Sequence, residues 1–399
     1  MRLRLRLPGL AARALLAAAL LPGPGRPAFA HDGPHGDAAS VIDGRSRDDP
    51  ARLALLRQAE AELARGDAVA AGETFERAAM MLHAADTEMG LVRGHMQAGQ
   101  YGRALAFCAH TAGVHRESPA ASALYAWLVR AGGQDAFAER TLAQALQRAP
   151  LDEVLLAARR AFAAPLPVAT AALLQTPQRM APQAVMLGGQ GEVPAAARAA
   201  GSALLVGRGE MALVPAGLLR GADGLWVRNG LGQTTRAQRQ QDAALEAQGV
   251  ARLRLESPLD AGPATAPASR EPFAGSPGFA FQYAAQQDAQ PAWPWLSQGF
   301  FAAVPLQPSA RRQLGIELPA GPDGGPVFDR EGHLAGMVLA GPKGEPLMLP
   351  ASQWQPMEAV DGPVSSPPPL AAGSQRTATA EQVYERGLRV ALQVIVLPR

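Results

Sequence analysis

Cysteine is almost absent from this chain. Cys108 is the only one in 399 residues, so no disulfide can form within the chain and stability has to come from packed cores. Aromatic residues are scarce too, at 5% against a hydrophobic share of 48%. Ala, Leu and Val supply the apolar bulk, which favours closely packed helices in part of the chain. There is no excess of one charge: 37 basic and 35 acidic residues leave a formal +2, too even a balance to argue for a nucleic-acid partner. Beyond the first thirty residues no apolar run is long enough to span a bilayer, so no integral membrane segment is expected there. Between His115 and His333 there is no histidine at all.

The opening "MRLRLRLPGLAARALLAAALLPGPGRPAFA" has the layout of a secretory signal over 1–30: an Arg-rich head, an apolar stretch ending at Pro22, and Ala28-Phe29-Ala30 as a cleavage site. It predicts export, with a mature chain starting at His31. The Ala-, Arg- and Gly-rich style is that of a high-GC Gram-negative bacterium, so the expected destination is the periplasm. Residues 31–50 carry no apolar periodicity and read as a solvated tail. His31, Asp32, His35 and Asp37 could hold a transition metal loosely there, but no metal is expected.

Over 51–162 glycines recur at Gly66, Gly99 and Gly133, 33 and 34 residues apart. Other positions keep the same step: Ala71, Ala104 and Ala138; Phe75, Cys108 and Leu142; Ala78, Thr111 and Ala145; and, before the glycines, Ala59, Val92 and Ala126. A small residue lets two helices approach, the glycine turns the chain, and a larger apolar residue fills the gap. This resembles the tetratricopeptide repeat in about three copies, which implies a helical solenoid whose concave face binds a peptide or protein partner. The competing reading is a non-repetitive Ala-rich bundle.

Residues 163–182 are punctuated by proline and read as a linker. Over 183–358 short apolar alternations sit between Gly and Pro turns, an all-β pattern. Nine strands are expected, in "SALLVG", "EMALVP", "GLWVRN", "ARLRLE", "GFAFQY", "GFFAAVP", "GPVFD", "HLAGMVLA" and "EPLMLP". The stretch "GPDGGPVFDREGHLAGMVLAG" resembles the nucleophile turn and following hairpin of trypsin-like serine peptidases. "GSALLVGRGEMALVPAGLLRGADGLWVRNG" and "ALEAQGVARLRLESPL" resemble the segments that carry the base and its orienting carboxylate in that family. The resemblance covers almost half the chain and implies an all-β trypsin-like double β-barrel after the all-α solenoid.

Carried over residue by residue, the resemblance leaves every catalytic role vacant. The base position falls on Gly217 (Ala216 if the register slips by one), the orienting carboxylate on Gly249, and the nucleophile on Asp323. A hydroxyl becomes a nucleophile only beside a base, and the base needs an orienter, so no covalent route remains. Gly321, Gly324 and Gly325 still hold a tight turn beside Asp323. The Asp323 carboxylate would lie next to the amides meant for an oxyanion and could accept their hydrogen bonds. A carboxylate nucleophile would need a second acid or base nearby, and His333, in the hairpin that follows, is the only candidate.

Residues 359–377 form a Pro- and Ser-rich linker. Residues 378–399 read as a helix opened by Thr379 with Gln382 behind it, then the β-rich "LQVIVL". That strand could dock on the barrel, on the repeats or on a partner. No cofactor is expected. The sequence therefore predicts an exported, non-catalytic binding or scaffold protein, gripping a partner through its solenoid and barrel cleft. The alternatives are a hydrolase built on Asp323 and a purely structural domain of a larger assembly.

Overall fold

In a computed structural model of the protein, the residues described are 48–163, 193–262, 267–268, 270–305, 311–318, 324–354 and 377–399. The expected signal peptide, the tail as far as residue 47, and nearly all of both linkers lie outside them.

Among the described residues seven helices come first: α1 (Pro50–Ala64), α2 (Ala68–Met81), α3 (Ala85–Gln97), α4 (Tyr101–Val114), α5 (Pro119–Ala131), α6 (Asp135–Arg148) and α7 (Glu153–Phe162). Asp49 opens α1 by accepting from Ala51 N at 2.8 Å, with Pro50 at the first helical position. The three glycines 33 and 34 residues apart end α1, α3 and α5 in one motif. Gly66, Gly99 and Gly133 take φ of +80°, +73° and +78°, where only glycine is unstrained. In each, the glycine N–H reaches back three residues and the next N–H reaches back five, as in Gly66 to Leu63 O at 2.9 Å and Asp67 to Glu62 O at 3.0 Å. Each such turn joins a pair of antiparallel helices. Every small or apolar position in the repeat register, from Ala59 to Ala145, is buried.

Among the described residues twelve strands follow, in two closed six-stranded barrels. The first contains β1 (Arg198–Val206), β2 (Met211–Pro215), β3 (Ala222–Asn229), β4 (Thr234–Gln240) and β5 (Val250–Leu255), with the short helix α8 (Ala243–Glu246) between the last two. The second contains β6 (Pro277–Gln282), β7 (Trp295–Phe301), β8 (Arg312–Ile316), β9 (Pro326–Asp329), β10 (Leu334–Ala340) and β11 (Pro346–Pro350). Helix α9 (Ala380–Val390) then runs without a loop into β12 (Ala391–Pro398). This is an N-terminal helical region followed by two barrels, the arrangement that the resemblance to trypsin-like peptidases implies.

Of the three places the sequence leaves open for the last strand, the structure gives it the barrel. β12 is the sixth strand of the first barrel, pairing antiparallel with β1 on one side and β3 on the other. Residues 193–255 supply only five strands, and a barrel with a gap between β1 and β3 would expose two rows of unpaired backbone groups. The second barrel runs β6–β7–β8–β11–β10–β9 and closes on β6. If β12 is counted as the first strand of its barrel, the same order appears there: β12–β1–β2–β5–β4–β3. The two barrels share one topology, and the first is closed by a strand that arrives last in the chain.

α9 is capped as its sequence predicts, with Gln382 N donating to Thr379 Oγ1 at 3.3 Å and Thr379 N donating to Gln382 Oε1 at 3.1 Å. Its Val383, Tyr384 and Leu388 are fully buried. The helical region is not a separate bead. Tyr101, Trp127, Trp293, Trp295 and Tyr384 form one aromatic cluster joining α4 and α5 to the second barrel and α9.

Candidate functional site

The candidate site is the junction of the two barrels. β2 ends at Pro215, which pairs with Val250 of β5, and the chain then enters a 3-10 turn, Ala216–Leu219. Ala216 N donates to Gly249 O at 2.9 Å, so the base and carboxylate positions of the resemblance, Gly217 and Gly249, lie on adjacent backbone. The turn that the resemblance matches to a nucleophile turn comes from the other barrel. Gly324 N donates to Val338 O and Val338 N to Gly325 O, both at 2.9 Å, which fixes the start of β9 on β10. Gly321 and Asp323 lie outside the described residues.

Close packing explains the glycines of this turn. A Cβ on Gly324 would stand 2.0 Å from Ser202 O and 2.6 Å from Pro215 Cδ, both in the first barrel. One on Gly325 would stand 1.6 Å from Phe281 O in the second. The turn is thus wedged between backbones of both barrels, directly beside Pro215. Gly217, Gly249 and the 324–325 pair meet at one junction.

What faces the empty positions is cationic. A side chain at Gly217 would begin 3.3 Å from Arg220 Nη2, and one at Gly249 would begin 3.3 Å from Arg311 Nη2. Arg311, from the second barrel, also donates through Nη2 to Gln248 O at 2.6 Å and so crosses to the first. A guanidinium has donors and no acceptor, so neither group can take a proton from a nucleophile, whereas both suit a carboxylate. The sequence reading missed Arg220 and Arg311, because nothing in their spacing ties them to the two glycines. Only the fold brings them there.

No hydroxyl–imidazole pair occurs at this junction among the described residues. Ser202 is fully buried, and its Oγ accepts from Tyr283 N at 2.8 Å. His333 sits in the turn between β9 and β10. Its N–H donates to Asp329 Oδ1 at 2.8 Å, and its Nδ1 is 3.6 Å from Asp329 Oδ2 and 3.5 Å from Glu331 Oε2. Asp329 is five residues along an extended chain from Gly324, about 16 Å away, so His333 stands at the far end of β9 from the glycine turn.

No protein-family model matches the chain, and no curated protein does. Solved structures do, among them an HtrA-type protease, AlgW, determined with a decapeptide. That match is 18% identical, covers 40% of this chain and has a TM-score of 0.33. The chain spans half the length of that structure.

Proposed function

We infer that this is an exported periplasmic protein that binds other proteins without cutting them, a trypsin-like double barrel whose catalytic groups have been lost. The observation that carries the reading is the pair Gly217 and Gly249, on backbone joined by the Ala216 N to Gly249 O hydrogen bond, where a side chain would face Arg220 and Arg311. A general base must hydrogen-bond the proton it removes, and this junction offers guanidinium donors in its place. Asp323 completes the reading as the residue at the nucleophile position. The helix pairs of 51–162 are read as tetratricopeptide-like repeats that hold one protein partner. The barrel junction is read as holding an extended segment bearing carboxylates, through the two arginines.

The alternative, a hydrolase that uses Asp323, needs a second acid or base beside the glycine turn, and His333 is held at the other end of β9. One experiment separates the two readings. Mature protein is incubated with casein and fluorogenic peptides, and its binding of fluorescent acidic and basic peptides is measured in parallel. The expected result is no turnover, with acidic peptides bound and that binding lost in the Arg220→Ala/Arg311→Ala double variant. Turnover that disappears in Asp323→Ala would replace this reading with the hydrolase.

A further inference from the structure

We propose that His83, Glu88 and His115, in the helical region, form a binding site for a divalent transition-metal ion, with zinc the best fit. The three come from separate places in the sequence. His83 is in the connection between α2 and α3, Glu88 is in the first turn of α3, and His115 is the residue that ends α4. Their ligand atoms all lie within 4.8 Å of one another.

The polar atoms at this point are not satisfied by protein alone. Glu88 is buried, its side chain 3% exposed, and its Oε1 pairs with His83 Nε2. Its Oε2 has no hydrogen-bond partner, and neither does the buried His115 Nε2 that faces it at 3.6 Å. A carboxylate oxygen and a ring nitrogen buried face to face with no hydrogen bond between them are costly to leave so. The separation is too long for a hydrogen bond, but it matches the edge of a tetrahedron of zinc ligands at 2.0–2.1 Å, about 3.4 Å. One cation would satisfy both atoms together with His83.

The surroundings favour the same chemistry. His115 Nδ1 faces Glu117 Oε1 at 3.5 Å, the outer carboxylate that commonly sets the tautomer of a ligating histidine and leaves Nε2 free for the metal. Two imidazoles and one carboxylate suit a borderline ion such as Zn²⁺ or Co²⁺ better than Ca²⁺ or Mg²⁺. His110, exposed, lies ring to ring 6.4 Å from His83 and adds a further imidazole to the neighbourhood. Cys108 stands outside the group, its buried Sγ 4.0 Å from Ala121 O.

Access is open. The glycine turns at Gly99 and Gly133 abut Leu231 of the first barrel and Leu296 of the second. The loops that carry His83 and His115 are at the opposite ends of the helices, about 21 Å away along the 14 residues of α4. His83, 60% exposed, closes the site from outside. A bound ion would pin the α2–α3 connection to the end of α4, and with it one helix pair to the next.

The test is a titration of untagged, chelator-stripped mature protein with Co²⁺, read by visible absorption, followed by displacement with Zn²⁺. All proteins carry His31→Ala and His35→Ala, so that the tail cannot contribute. One equivalent is expected, with the absorption of a four- or five-coordinate ion. That equivalent is lost in His115→Ala and in His83→Asn, and Glu117→Gln weakens affinity about 10- to 100-fold. His83 is exposed, so its variant reads the site even where His115→Ala fails to fold, and circular dichroism checks both. Absence of a stoichiometric ion, or binding unchanged in His83→Asn, overturns the proposal and leaves His115 and Glu88 as buried neighbours with no ion between them.

Discussion

Tyr101 of α4 and Tyr384 of α9 lie ring against ring, centroids 4.1 Å apart and tilted by 32°. Each hydroxyl donates to a carbonyl at 2.8 Å, Tyr101 to Leu128 O and Tyr384 to Pro294 O. Trp293 stands 6.5 Å from one ring and 6.0 Å from the other. Helices α4 and α5, the second barrel and α9 therefore share a core, and these parts should unfold as one unit rather than as a solenoid and a barrel domain in turn.

Tyr384→Ala should cost about 3–5 kcal/mol, as for other large buried rings. Tyr384→Phe, which leaves Pro294 O unpaired, should cost about 1–2 kcal/mol. In a urea titration, the helical circular dichroism and the tryptophan fluorescence should move together, and earlier, in both variants. Two separate transitions in the wild-type protein would show that the aromatic cluster does not couple the parts.

The same tyrosines fix how the protein responds to alkali. Burial holds Tyr101, Tyr283 and Tyr384 in their neutral forms, raising all three above the ordinary phenol value near 10. A raised folded-state value means a stabilising contribution fully present below pH 10 and lost as pH climbs above it, because only the unfolded chain then releases those protons. Three such groups imply a loss approaching about 4 kcal/mol per pH unit. Absorbance at 295 nm should show little tyrosinate in the native protein above pH 10. It should then rise cooperatively with unfolding.

At the barrel junction, Gly325→Ala should destabilise strongly. Its Cβ has nowhere to go, 1.6 Å from the carbonyl oxygen of Phe281 in the β6 backbone. Gly324→Ala adds a positive φ of +113° to a clash with Ser202 O. On the order of 2–4 kcal/mol is expected for each, from overpacking and from backbone strain respectively. Denaturant midpoints measure the loss directly. If Gly324→Ala is tolerated within about 0.5 kcal/mol, the turn is not wedged between the barrels as described.

Much of the fold was legible because local chemistry set it. Gly66, Gly99 and Gly133 had to be glycines to turn left-handed, and Thr379 with Gln382 announced a helix start. Two strands escaped for a reason visible in their burial. β4, "TTRAQRQ", buries threonines and turns Arg and Gln outward, so it has no apolar alternation. β8 buries Arg312, whose guanidinium donates to Ala302 O and Pro272 O, where a hydrophobe would have advertised a strand. Arg220, Arg311 and the His83–Glu88–His115 group depend on tertiary approach, which spacing along a chain does not encode. The partner of β12 was hidden for the same reason, since more than 160 residues separate it from β3.

That strand gives the sharpest test of the architecture. A chain ending at residue 376 lacks β12, which is buried over six consecutive residues and hydrogen-bonded on both sides. It also lacks Tyr384 and the rest of α9. Such a chain should show no cooperative transition, because β1 and β3 lose their shared partner and the aromatic cluster loses a member. A synthetic peptide of residues 377–399, added in excess, should restore a concentration-dependent transition, since the missing strand enters a gap that the other five leave open. A scrambled peptide of the same composition should not. Folding of the shortened chain without any peptide would mean that β1 and β3 pair directly, and that the shared topology of the two barrels is not what closes the first one.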